Sequence, residues 1–218
     1  SRDIYSQYRN LVFGTELTNF TFDTVTPDDI FVINVNRSRY KQNLKPGTLN
    51  LKLSGSNGEF SLTDDSITKT GSAVITNIGR QFNIVSGSNG VMEGSVLAQT
   101  DSGSYGLFYP DAGILLFNAA AVSHSVGISV NRSSEVDGKN NESFYNAISR
   151  SGHFILDSEE KITSQYYFTR IKNQEYNYTT NSSFIETDGT LSFSSMNDNP
   201  RTYITTIGLY NDNNELVA

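Results

Sequence analysis

Cysteine and tryptophan are absent from this 218-residue chain, and histidine occurs only twice. Without cysteine there is no disulfide, no thiol nucleophile and no thiolate metal ligand, so stability has to come from packing, backbone ladders and association between chains. The histidines, His124 and His153, stand apart from one another and from any H-x-x-x-H or H-E-x-x-H spacing that pairs two metal ligands. His124 is flanked by Ser123 and Ser125, but neighbours in an extended strand face opposite ways and cannot make a serine–histidine pair. No P-loop lysine, dinucleotide glycine pattern or nucleophile elbow occurs, and Gly87-Ser-Asn-Gly90 lacks the strand-to-helix setting of a phosphate cradle. No catalytic residue, cofactor or metal is therefore expected. There is also no run of about 18 apolar residues for a membrane helix and no basic-then-apolar leader, so the chain reads as soluble, with no membrane partner.

Charge is sparse as well. Only 18% of residues are charged, with a net charge of -7, and a pI near 4.8. Binding to phosphate backbones relies on clustered lysine and arginine releasing counterions, so nucleic acid is not expected as a partner. The one locally basic stretch, Arg37, Arg39 and Lys41, falls on a possible helical turn and reads as a solvated face or as partners for nearby acids.

What the chain has is serine, threonine, asparagine and glycine, together with 12 tyrosines and 13 phenylalanines. Neutral hydrogen-bonding surfaces of this kind suit sheets and turns better than helices. The expected fold is mainly β: antiparallel hairpins forming one or two sandwich-like or barrel-like units, with one or two short helices.

The first helix is expected near the start. Ile4, Tyr5, Tyr8, Leu11 and Val12 share one face, Asp3, Gln7, Arg9 and Asn10 the other, and Gly14 closes it. After Pro27, short strands follow: Ile30–Val35, an alternating Thr48–Ser54, Glu59–Thr63, Ala73–Ile78 with Gln81–Val85, and Val91–Ala98. The clearest hairpin joins Tyr105–Tyr109 to Ile114–Asn118 through Pro110-Asp-Ala-Gly113; proline sets φ at the start of the turn and glycine supplies positive φ at its end. Both arms are so apolar that the pair should be buried on both faces or lie at an interface. Asp111 is expected to bond its own turn backbone.

Val126–Val130 reads as a strand, Arg132–Asn141 as a polar excursion and Glu142–Arg150 as a short helix that divides residues 1–140 from 141–218. Strands are expected at His153–Leu156, Lys161–Lys172, Asn177–Glu186 and Thr190–Ser195, with Asp157–Glu160 a hairpin loop and Asp188-Gly189 a two-residue turn. The end, Arg201–Tyr210 followed by Asn211–Ala218, reads as a β-branched, aromatic strand, a polar turn and a strand too short to pair its neighbour. More chain or another subunit is expected to complete that ladder.

Adjacent acids occur at Asp28-Asp29, Asp64-Asp65 and Glu159-Glu160. All three fall in expected loops, where such pairs cap helices or hydrate turns instead of facing each other across a sugar. Asn211–Glu215 and Asn197–Asn199 lack the spaced acids and glycine of a calcium loop. Tyr166, Tyr167, Tyr176 and Tyr178 leave a host-surface glycan as a second class of partner, through aromatic faces against sugar rings.

The terminal segment, the Tyr105–Asn118 hairpin and Ile30-Phe-Val-Ile-Asn-Val-Asn through Lys45-Pro-Gly47 together resemble virion structural proteins of contractile-tailed phages, cyanophage-like myoviruses especially. The likeness runs from Ile4–Tyr8 to the end and consists of strand and turn phrases, with no catalytic signature to carry over. It implies a non-enzymatic tail or baseplate component, assembled in the host cytoplasm and bound to other virion structural proteins and to copies of itself. Candidate assembly contacts on this reading are Tyr5 and Tyr8 of the first helix, Phe108 and Tyr109 of the hairpin, and Tyr203, Ile204, Ile207 and Tyr210 of the last strand.

Overall fold

A computed structural model describes residues 2–68, 73–93, 104–131, 137–172 and 175–218. It forms two units, Ser1–Ile162 and Thr163–Ala218. The division therefore does not fall at 140/141. The helix expected to mark it instead packs inside the first unit.

In chain order the first unit contains α1 (Arg2–Phe13), β1 (Ile30–Asn34), a 3-10 turn (Arg37–Arg39), β2 (Asn43–Leu44), β3 (Asn50–Gly55), β4 (Gly58–Asp64), β5 (Val74–Thr76), β6 (Gly79–Ser88) and β7 (Val91–Met92). It continues with β8 (Gly106–Tyr109), β9 (Ile114–Asn118), α2 (Ala119–Val126), α3 (Lys139–Ser151), β10 (Phe154–Ile155) and β11 (Ser158–Glu159). The protein is mainly β and entirely antiparallel: β1-β9-β8-β6-β4-β3-β10 lie side by side, with β5 and β7 paired to β6. Short hairpin turns drive this order. Asn89 and Gly90 both take positive φ, 52° and 74°, between Ser88 and Val91, the backbone twist that a two-residue hairpin demands. Of the strand expected over Val91–Ala98, Val91–Met92 is observed and residues 94–98 lie outside the described residues.

The β8–β9 hairpin forms in the register its turn dictates, Tyr109 opposite Ile114, and every residue of both arms is buried. Alternation splits them between two cores. Phe108, Leu115 and Phe117 join Phe31, Leu51, Leu53, Leu62 and Ile84 on one face, beneath α2 and Phe144 of α3. Leu107, Tyr109, Ile114 and Leu116 point to the other, where Val12, Tyr5 and Tyr8 of α1 meet Phe20 and Phe22. This is why both arms read as continuous apolar runs. On α1 the inward stripe is Tyr5, Tyr8 and Val12, whereas Ile4 and Leu11 are exposed, a face turned slightly from the one expected.

Where a strand was expected over Val126–Val130, α2 ends and turns. Asn118 leaves β9 and accepts the N–H groups of Ala120 and Ala121, and Gly127 closes the helix at φ 73°. A capping asparagine and three alanines favour a helix before the valines can act. Asp157–Glu160 is likewise not a hairpin loop, because Ser158–Glu159 pairs with Asn43–Leu44. Helix α3 matches its expected position and stacks Phe144 on Phe31 at 4.5 Å between ring centres.

In Thr163–Ala218 the expected strands do not form. The described residues hold one short helix, α4 (Ser195–Asp198), and two single bridges, Ile185 with Leu191 and Tyr210 with Leu216. The turns themselves are present: Gly189 donates to Glu186 O, and Asn211 accepts from Glu215 and Asn213 around Asn214 at φ 59°. β-Branched composition makes a segment ready for a sheet, but a strand needs a neighbour to complete its ladder.

Candidate assembly surface

The candidate contacts separate into two classes. Phe108 and Tyr109 are fully buried within the chain and build its own core. The Tyr109 hydroxyl donates to Gln81 at 3.0 Å, and burial pushes its phenol well above the ordinary value. Tyr5 is half-buried against Phe20; its hydroxyl donates to Pro27 O and accepts from Phe20 N–H. Tyr8 accepts from the Asn34 amide. Tyr5 thus ties α1 to the segment that follows it, and Tyr8 ties α1 to β1.

Tyr203, Ile204, Ile207 and Tyr210 are all exposed. They are not alone: Tyr166, Tyr167, Phe168, Tyr176, Tyr178, Phe193, Leu216 and Val217 are exposed in the same unit. No described residue of 163–218 is buried.

Several carboxylates anchor segments that are distant in sequence. Asp64 and Asp65 are buried, not hydrating a turn. Asp64 accepts from the backbone N–H groups of Gly47 at 2.8 Å, Ser66 at 3.2 Å and Leu49 at 3.4 Å. Asp65 accepts from the backbone and side-chain N–H groups of Asn83, both at 2.8 Å. A buried carboxylate is tolerated when several donors converge on it. Asp111 leaves its turn to bind Arg80, and Glu159 of β11 binds the same guanidinium at 2.8 Å. Glu160 pairs with Lys41 at 2.9 Å, and Arg37 lies over the Tyr40 ring at 4.6 Å, so the basic stretch is partly engaged within the chain. The adjacency of these acids in sequence concealed that each reaches a different segment.

His124 lies on α2, not on a strand. Ser125 Oγ contacts the Tyr105 hydroxyl and Ser123 Oγ donates to Ile128 O, so neither serine is bonded to the imidazole. Among the described residues no three of histidine, aspartate and glutamate gather as metal ligands. A cleft of about 620 Å³ is lined by Arg2, Tyr5, Arg9, Asn19, Asp28 and Asp29 among others. Within it Arg9 donates to Asn19 and Ser6 and stacks 5.0 Å from the Tyr5 ring, and neither aspartate lacks a partner. These groups hold α1 and the following loop together. No helix among the described residues is long and apolar enough to cross a membrane.

No family model matches the chain, and comparison with curated proteins and with solved structures found no match. The surface that distinguishes this molecule is the apolar display of residues 163–218.

Proposed function

We propose that this chain is a non-enzymatic structural component of a phage virion, in the tail or baseplate, acting through protein–protein assembly. The observation that carries the reading is the contrast between the two units. Ser1–Ile162 has two filled cores, whereas Thr163–Ala218 displays aromatic and β-branched side chains with none of its described residues buried. Large apolar side chains left exposed in that number mark a surface made to be covered. The strand and turn phrases that resemble contractile-tail virion proteins supply the setting: assembly in the host cytoplasm, then residence in the particle beside other virion proteins. The test is mass spectrometry of purified source particles and of tails separated from heads. Enrichment of this chain with tail proteins is expected, and its absence from particles overturns the reading.

A second reading rests on the exposure of Tyr166, Tyr167, Tyr176 and Tyr178. Exposed aromatic rings suit the apolar faces of sugars, which makes a host-surface glycan the alternative partner. A glycan array without hits removes it.

A further inference from the structure

We infer that residues 153–161 form a strap, hinged at Gly152 and latched by Glu159 and Glu160, that lifts off the first unit while both cores stay folded. Everything that holds the strap lies within Ser1–Ile162, independent of what residues 163–218 meet.

The strap is held by its backbone far more than by burial. Phe154 and Ile155 pair with Leu51 and Asn50, and Ser158 and Glu159 pair with Leu44 and Asn43. Beside these pairs Lys52 N–H donates to His153 O at 2.9 Å, Lys45 N–H to Asp157 O at 2.8 Å and Lys161 N–H to Gln42 Oε1 at 2.9 Å. No residue from 153 to 162 is buried. Phe154 and Ile155 are 38% and 49% exposed, and Leu156 packs against the first core while only partly covered. An element made of water-accessible hydrogen bonds, with little apolar surface beneath it, separates at a lower free energy than the core does.

The boundary of what moves is sharp. On one side α3 is fixed by Phe144 and Ala147 in the core. Gly152 then takes φ 60°, and nothing lies within 4 Å of where its Cβ would be. A glycine in the left-handed region at a helix end absorbs a change of direction without strain.

Two ion pairs form the latch. Glu159 binds Arg80 Nη2 at 2.8 Å, and Glu160 binds Lys41 Nζ at 2.9 Å. Opening isolates neither cation. Arg80 keeps Asp111 at 2.7 Å, and Lys41, with 68% of its side chain already exposed, returns to water. No buried charge is left unpaired, so the usual penalty for breaking such a pair does not arise. Closed, the strap covers the outer edges of β2 and β3. Open, it bares the β3 edge to an extended partner strand and adds about 30 Å of extended chain ahead of Thr163.

Hydrogen exchange of the full chain, resolved by amide, tests this. The reporters are Lys45 and Lys52, whose N–H groups donate to the strap, while Leu115 and Phe117 of β9 report the core. In the wild type Lys45 and Lys52 are expected to exchange well ahead of Leu115 and Phe117. The double variant Glu159→Gln, Glu160→Gln removes both latch charges at nearly unchanged shape. It is expected to speed Lys45 and Lys52 about three- to tenfold and to leave Leu115 and Phe117 unmoved. Equal wild-type rates in the two groups would mean that the strap opens only with the whole unit, and they overturn the inference. So does a double variant that leaves the reporters unmoved or accelerates both groups alike.

Discussion

Arg80 and Asp111 meet through both side chain and backbone. Arg80 Nη2 donates to Asp111 Oδ1 at 2.7 Å, Nε approaches both carboxylate oxygens, and the Arg80 backbone N–H donates to Oδ2 at 2.7 Å. The β5–β6 turn is thereby fastened to the β8–β9 turn, with Glu159 of β11 as a third member. Gly79 makes the approach possible: a Cβ there would lie 2.3 Å from Asp111 Oδ2.

Burial alone would raise the Asp111 pKa, but the hydrogen bonds and charge of Arg80 outweigh it and hold the carboxyl below its ordinary 3.8. A depressed folded-state value means the contribution is complete above pH 4 or so and is lost as pH falls through the folded pKa. Asp111→Ala is expected to cost about 1–2 kcal/mol at pH 7, reduced from a fully buried pair because both partners are partly solvated. The difference from wild type should shrink in urea titrations below pH 3; a constant difference across that range would refute the assignment.

Asp64 should matter more. Its carboxylate receives the N–H groups of Gly47, Leu49 and Ser66 in a fully buried position. Asp64→Ala leaves those donors without their acceptor and is expected to cost about 3 kcal/mol or more. Chemical denaturation followed by circular dichroism reads this directly, and a loss under about 1 kcal/mol would show that other acceptors replace the carboxylate.

Tyr109 predicts an alkaline effect. Desolvation raises its phenol above the ordinary 10.0, so the stabilisation is fully present below pH 10 and is lost as pH rises through the folded-state value. Tyr109→Phe removes the bond to Gln81 and should cost about 1 kcal/mol at neutral pH. It should also flatten the stability profile above pH 10. Equal alkaline slopes in the two proteins would count against this.

Phe144 stacks on Phe31 and tilts against Phe117 at 5.4 Å, joining α3 to the β1–β9 pair. Phe144→Ala is expected to lower stability by about 3–4 kcal/mol, with hydrogen exchange of the α3 amides accelerated more than that of β3 and β4. Uniform acceleration would mean α3 does not unfold as its own unit.

Local chemistry made much of the first unit readable. Pro110 and Gly113 bracket a turn, Gly14 ends α1, and Phe144, Tyr145 and Ile148 mark one side of α3, although only Phe144 proves deeply buried and Tyr145 stays exposed. Long-range partners were not readable. Nothing near Asp64 in sequence announces Gly47 as its partner, and nothing near Asp111 announces Arg80. Asn118 hid a helix cap at the end of a strand. In residues 163–218 the composition reads as strand while the chain supplies no neighbour, because pairing depends on which segments meet and not on the segment alone. Of the candidate contacts, Phe108 and Tyr109 had the apolar signature common to core and interface, and only the three-dimensional packing separates the two.

The two-faced burial of β8 and β9 carries a cost in uniqueness. In a half-exposed strand, slipping by one residue exchanges core for solvent and is strongly opposed. Here the same slip would exchange one core for the other, Leu115 for Leu116 and Phe108 for Leu107, so hydrophobicity barely discriminates between the two alignments. Discrimination falls instead to features with no apolar character. Gly113 N–H closes the turn on Tyr109 O, and Gly106 sits where any Cβ would lie 2.4 Å from Leu116 O. The hairpin's most hydrophobic stretch is thus kept in alignment by its two smallest residues.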